Sequence, residues 1–250
     1  MALIDYYISQ TLQNTTPDKT GGTHACFLFQ TYALLKGVYE PKKLEKLIKT
    51  THELYEQGVA VVPTVEYKEV SPISENNVLS RCYVLQRRAP GKELHSASHY
   101  KQPDTEYQSI MTALSQRPQE FFDKYASDWL KICKSGLQID PSKSSNFFYT
   151  PEKIHFIDLE VAGKKDHTEY AFLDAATALF NGGAYYKQQN KENHKIILNK
   201  MVNAFLKQDY PIENIEKAVQ NNWPDIAQYS LKDIKNQNLT PSQNLDHETR

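Results

Sequence analysis

The stretch Gly136–Glu160, GLQIDPSKSSNFFYTPEKIHFIDLE, sets Asp140, Asn146 and Asp158 at the ends of short apolar runs. Two carboxylates and an amide are hard oxygen donors of the kind that hold magnesium, and a carboxylate can also accept the proton of an attacking hydroxyl. Phosphoryl transfer asks for both. The same residue types also serve as ordinary turn formers, because Asp and Asn side chains bond their own backbone. For this stretch to do chemistry, its elements must bring the three side chains together. Those elements read as a helix end at Gly136, a loop carrying Asp140, a strand opened by Asn146, a turn over Thr150–Lys153 and a second strand ending on Asp158.

A chain of 250 residues, 40% hydrophobic and 24% charged, has the composition of a soluble globular protein and room for one large domain or two lobes. A formal net charge of −1 speaks against a dedicated nucleic-acid binder. Cys26, Cys82 and Cys133 are odd in number and widely spaced, which fits a reducing compartment and opposes a disulfide framework or a zinc site. The start, MALIDYYISQ, has no secretory pattern, and no apolar run approaches the ~20 residues that span a bilayer. A cytoplasmic protein without membrane contact is therefore the expectation. His95 and His99 stand four apart without a third ligand nearby, and there is no GxSxG elbow.

Residues 4–13 alternate loosely and suggest a strand. Asn14–His24 is turn-rich, and Ala25–Leu35 is long enough for two strands turning at Gln30-Thr31. Pro41 and Gly58 bracket a helix whose stripe is Leu44, Leu47, Ile48, Leu54 and Tyr55. Val59–Val70 and Val78–Arg87 follow as strands, the first interrupted by Pro63. Phe121, Phe122, Tyr125, Trp129, Ile132 and Cys133 define an amphipathic helix, and further helices fall near 168–182, 191–208 and 211–220. This predicts an α+β, two-lobe chain: a small β-rich lobe with one helix over 1–88, a mainly helical lobe over 89–229, and a polar tail over 230–250.

In this order the pieces resemble a small member of the protein-kinase-like superfamily, closest in style to aminoglycoside and choline phosphotransferases, over roughly residues 15–190. The resemblance implies a bilobal kinase-like fold that uses ATP and magnesium. Thr20-Gly21-Gly22-Thr23 is similar to the loop that covers nucleotide phosphates, where Gly21 and Gly22 let backbone amides approach an anion; a plain turn has the same composition. Tyr32-Ala33-Leu34-Leu35-Lys36 resembles the strand whose lysine holds the α- and β-phosphates, although a solvated strand-end lysine looks the same. Its glutamate partner on the next helix would be Glu45, which falls about 100° from Leu44 at the edge of the apolar stripe. Val78–Ala89 with Pro90-Gly91 resembles the hinge strand, so that the carbonyl of Arg87 and the amide of Ala89 would meet the adenine. By the same resemblance Asp140 takes the catalytic-loop position, while Asn146 and Asp158 take the positions that hold the metal.

The chain departs from the family's pattern in three places. Gln138 stands where a His is usual, the step from Asp140 to Asn146 is one residue longer, and Glu160 stands where a Gly is usual. The resemblance thus implies a phosphotransferase acting on an unidentified hydroxyl, a small molecule rather than a protein, because little chain separates Asp158 from the helix near Ala171. The other reading is a catalytically silent relative that binds nucleotide or acts as a scaffold through protein contacts.

Overall fold

The computed structural model describes residues 2–13, 16–20, 24–73, 79–94, 105–162, 167–180 and 191–224. The fold is α+β, and the chain forms two compact units: Met1–Leu94 with Leu130–Thr168, and His95–Trp129 with Glu169–Arg250. Gly21, Gly22, Val78 and the tail over 230–250 lie outside the described residues.

In the first unit β1 (Lys19–Thr20), β2 (His24–Leu28), β3 (Tyr32–Tyr39), β4 (Thr64–Pro72) and β5 (Ser80–Arg87) pair antiparallel in the order β1-β2-β3-β5-β4. The long β3–β5 ladder runs from Tyr32↔Arg87 to Tyr39↔Ser80. Period-two alternation sorts its side chains between two clusters. Leu34 and Leu85 pack with Ile4 on one face, while Cys82 and Val84 pack with Leu44, and with the partly buried Leu35 and Tyr39, on the other.

Each face carries a helix. The segment expected as a strand over 4–13 is instead α1 (Leu3–Gln13). Ile4, Tyr7 and Ile8 recur at helical spacing and lie on Leu34 and Leu85. The other face is covered by α2 (Pro41–Glu56), with Pro in its first turn and Gly58 beyond its end at φ +77°. Residues Val59–Val62 are buried. They run alongside β9 (Ile154–Phe156): Val61 forms a parallel bridge with Phe156, and the Val62 amide donates to the Phe156 carbonyl at 3.0 Å. The strand expected from Val59 therefore begins only at Thr64, after Pro63.

The remaining strands are short. β6 (Lys92–Glu93), β8 (Phe147–Tyr149) and β9 form a sheet of order β6-β8-β9, and β7 (Leu137–Gln138) pairs with β10 (Glu160–Val161). The β8–β9 hairpin closes on the expected turn, where the Thr150 amide donates to the Lys153 carbonyl at 2.9 Å. It ends at Phe156, so Asp158 lies beyond the strand and not on it.

The second unit is helical. It holds α3 (Thr105–Ser115), α4 (Gln119–Lys134) as far as Trp129, α5 (Ala171–Phe180), α6 (Lys191–Leu206) and α7 (Ile212–Asn222). Phe172 meets Phe205 edge to face at 5.3 Å, and the buried Tyr125 hydroxyl donates to the Ala175 carbonyl at 3.0 Å. No helix of the described residues is long and apolar enough to cross a membrane.

Candidate functional site

All the described residues expected to form the site fall in the first unit. That unit contains a cavity of about 360 Å³ on the α2 side of the sheet. Leu35, Leu44, Leu47, Val62 and Val84 give it apolar walls, Thr64 and Gln86 add polar groups, and Asp158 and Glu160 bring carboxylates. Gln86 is held by a hydrogen bond from its Nε2 to the Val62 carbonyl at 3.3 Å. Apolar walls with a few placed polar groups are the usual make-up of a small-molecule site.

Asp158 is the only one of the three oxygen-bearing candidates that lines the cavity. Its φ is +54°, in the left-handed region, where a residue with a Cβ costs about 1–2 kcal/mol. The neighbouring backbone holds it there: the Ile157 amide donates to the Asn146 carbonyl at 3.0 Å, and the Phe156 amide donates to the Ala60 carbonyl at 2.9 Å. The first of these bonds also sets Asn146 beside the Asp158 loop. Asn146 closes a 3-10 turn (Ser144–Asn146) and is 3% exposed, and among the described residues its Nδ2 has no hydrogen-bond partner. A buried unpartnered amide is uncommon and points to a missing ligand or water.

These two residues fit magnesium by donor chemistry. Asp158 offers a carboxylate, and the Asn146 side chain, not fixed through its nitrogen, can present its Oδ1. Among the described residues no three His, Cys, Asp or Glu side chains converge into a protein-only metal site. Magnesium is compatible with that, since it takes one or two protein oxygens and completes its shell with water and phosphate.

Asp140 is partly occupied by its own loop. Its Oδ1 accepts from the Ser142 amide at 2.9 Å and from the Ser142 hydroxyl, and its Oδ2 lies 3.5 Å from the Lys143 ammonium. Partial burial works against its charged form, but the bonds from Ser142 and the charge of Lys143 outweigh it and hold the carboxyl below its ordinary value.

Lys36 and Glu45 are not brought together. Leu35 reaches the cavity, so strand alternation turns Lys36 to the opposite face, where its Nζ sits 5.6 Å over the Tyr83 ring. Glu45 is exposed and accepts a hydrogen bond from the Tyr67 hydroxyl at 3.2 Å. At the end of β5, the Arg87 and Arg88 amides donate to the carbonyls of Pro63 and Thr31 at 3.2 and 2.9 Å. The Ala89 N–H donates to no described group. The Arg87 guanidinium lies 5.5 Å over the Tyr55 ring and donates to its hydroxyl at 3.4 Å.

Sequence reasoning passed over Leu35, Tyr39 and Gln86, which line the cavity. Burial, then the negative charge of Asp158, pushes the Tyr39 hydroxyl far above its ordinary pKa, so it stays protonated. Strand alternation was the signal for all three, but it needs the phase that only the packed sheet reveals.

No protein-family model matches the chain, and no curated protein does. Among solved structures, it is similar to the aminoglycoside phosphotransferase APH(3'')-Id from Streptomyces rimosus, at 12% identity over 80% of this chain and 92% of that one, with a TM-score of 0.40. A choline/ethanolamine kinase family protein from Mesorhizobium loti shows 14% identity over 89% and 87% of the two chains, TM-score 0.36. The GDP and kanamycin complex of APH(2'')-IIia shows 13% identity over 87% and 99%, TM-score 0.35. This chain runs through an antiparallel sheet β1-β2-β3-β5-β4 with α2 between β3 and β4 in sequence, then a mainly helical remainder interrupted by the β8–β9 hairpin.

Proposed function

We propose that the chain is a phosphotransferase that uses ATP and magnesium to phosphorylate a hydroxyl on a small molecule. The observation that carries this reading is Asp158: a carboxylate in left-handed backbone, lining an apolar cavity, beside a buried amide without a partner. Backbone strain persists where the surroundings enforce it, and such places concentrate at functional sites.

In this reading Asp158 and Asn146 hold the magnesium, which when bound offsets the charge of the phosphates. The unengaged Ala89 N–H and the Arg87 carbonyl meet the edge of the base, and the walls at Leu35 and Val84 exclude water around it. Asp140 orients the acceptor hydroxyl with the lone pairs that Ser142 and Lys143 leave over, since a carboxylate has about four acceptor positions. The short connection from Asp158 to α5 leaves little room for a segment that would dock a protein substrate.

Calorimetric titration with magnesium and ATP, together with ATP turnover over a panel of hydroxyl compounds, tests the reading. The wild-type chain binds the complex, and Asp158→Asn weakens it by at least about tenfold, the equivalent of about 1.4 kcal/mol. Equal binding and turnover in the variant would remove the metal role.

A second reading, a nucleotide-binding relative without turnover, is favoured by one observation: the cavity wall holds Leu35 where a phosphate-holding lysine was expected, and Lys36 faces away. Binding that depends on Asp158, with no ATP consumed across the panel, selects this reading over the first.

A further inference from the structure

Gln138 and Glu160, two residues at which the chain departs from the kinase-like pattern, touch each other. They are direct partners in the β7–β10 register, and the Gln138 Nε2 donates to the Glu160 Oε2 at 3.3 Å. The neighbouring pair is Val161↔Leu137, and the Ala162 amide donates to the Gly136 carbonyl at 2.9 Å.

This two-residue ladder stands at the root of both loops of interest. Asp140 lies two residues after Gln138, and Asp158 lies two residues before Glu160. On its amino-terminal side Asp158 is tied through Phe156 and Ile157 to Ala60 and Asn146. On its carboxyl side the next anchor is the β10 pairing. Left-handed backbone at a residue with a Cβ relaxes unless both flanks are fixed. Glycine at position 160 would offer no side chain to fix the second flank, and a glutamate does.

We propose that Gln138 and Glu160 form a side-chain clasp that positions Asp158: they lock the loop bearing Asp158 to the loop bearing Asp140. Both act here as positioning residues; Glu160 also lines the cavity, and the reciprocal swap, which takes its carboxylate out of the cavity while keeping the pair, separates positioning from direct contact with ligand. The clasp as a structural device stands on its own geometry, and its consequence for ligand binding rests on the phosphotransfer reading above.

Two measurements on the full chain separate these layers. The first is amide hydrogen exchange of residues 157–162 without ligand, in Gln138→Ala, Glu160→Ala, the double variant, and the reciprocal swap Gln138→Glu with Glu160→Gln. Each single alanine variant raises exchange there by roughly threefold to tenfold, the effect of losing one exposed hydrogen bond. The double variant adds nothing further, and the swap restores protection because an amide–carboxylate pair is re-formed in reverse order. The thermal midpoint, measured in parallel, stays level, which separates local loosening from unfolding. Exchange unchanged in the single variants, or additive in the double one, overturns the clasp.

The second measurement is affinity for magnesium with ATP in the same set. It falls by a similar factor in the single variants and returns in the swap. If exchange responds while affinity does not, the positioning role is overturned though the clasp stands. If the wild-type chain binds no magnesium–ATP at all, the phosphotransfer reading fails, and the exchange measurement still decides the clasp.

Discussion

Lys36 and Asp140 show how much a side chain's role depends on its immediate surroundings. Lys36 follows an apolar run as a phosphate-holding lysine would, yet it lies within β3 and not at its end, and it rests over Tyr83 on the face away from the cavity. Lys36→Ala is expected to cost about 0.5–1 kcal/mol in a denaturant titration, the range of an exposed cation–π contact, and to leave magnesium–ATP affinity unchanged. A large loss of affinity would mean that the lysine reaches the ligand. Asp140 has a carboxyl held below its ordinary 3.8 by Ser142 and Lys143 against partial burial. A depressed folded pKa means that the ionised form is favoured in the native chain, so the stability it brings is present above pH 3.8 and is lost as pH falls through the lower folded value. Carboxyl-detected NMR titration should place Asp140 below 3.8 and move it back toward that value in Ser142→Ala. A midpoint in the variant equal to wild type would show that Ser142 is not what holds it.

Of Gly58, Gly91 and Gly136, which all have positive φ, Gly91 has the least room for a side chain. It has φ +88°, and a Cβ there would stand 2.2 Å from the Tyr149 carbonyl oxygen, where β6 meets β8. Gly91→Ala should lower stability by more than about 2 kcal/mol in urea unfolding, since both the backbone angle and the contact resist it. Elements with explicit end signals were legible in the chain. Pro41 and Gly58 bracket α2 within two residues, and the Thr150–Lys153 turn closes the β8–β9 hairpin as read. Elements without such signals were not. Residues 4–13 carry apolar side chains that suit either period over so short a run, and only the apolar sheet face, Leu34 with Leu85, selects the helix. The site was legible in part for the same reason. Asp140, Asn146 and Asp158 could be located along the chain from turn chemistry, but whether Leu35 or Lys36 faces α2 is a question of strand phase, which neighbouring residues do not settle. The contact between Gln138 and Glu160 was invisible because 22 positions separate them, and two-residue strands leave no periodic trace.

For the whole molecule, the weightiest fact is that each compact unit is assembled from separated stretches of chain. Met1–Leu94 belongs with Leu130–Thr168, and Val61 and Val62 are satisfied by Phe156. A fragment of residues 1–94 should therefore lack the dispersed amide spectrum of a folded domain, although it holds the entire five-stranded sheet. Adding a peptide of residues 130–168 should restore dispersion. A fragment that folds alone would contradict this division of the chain. Biosynthesis runs in one direction, and Val61 leaves the ribosome about ninety-five residues ahead of Phe156. At the usual ~5–20 residues per second, the nascent Val59–Val62 segment waits roughly 5–20 s for the strand that pairs with it. Throughout that interval its valines are available to chaperones, or to a neighbouring polypeptide on the same message.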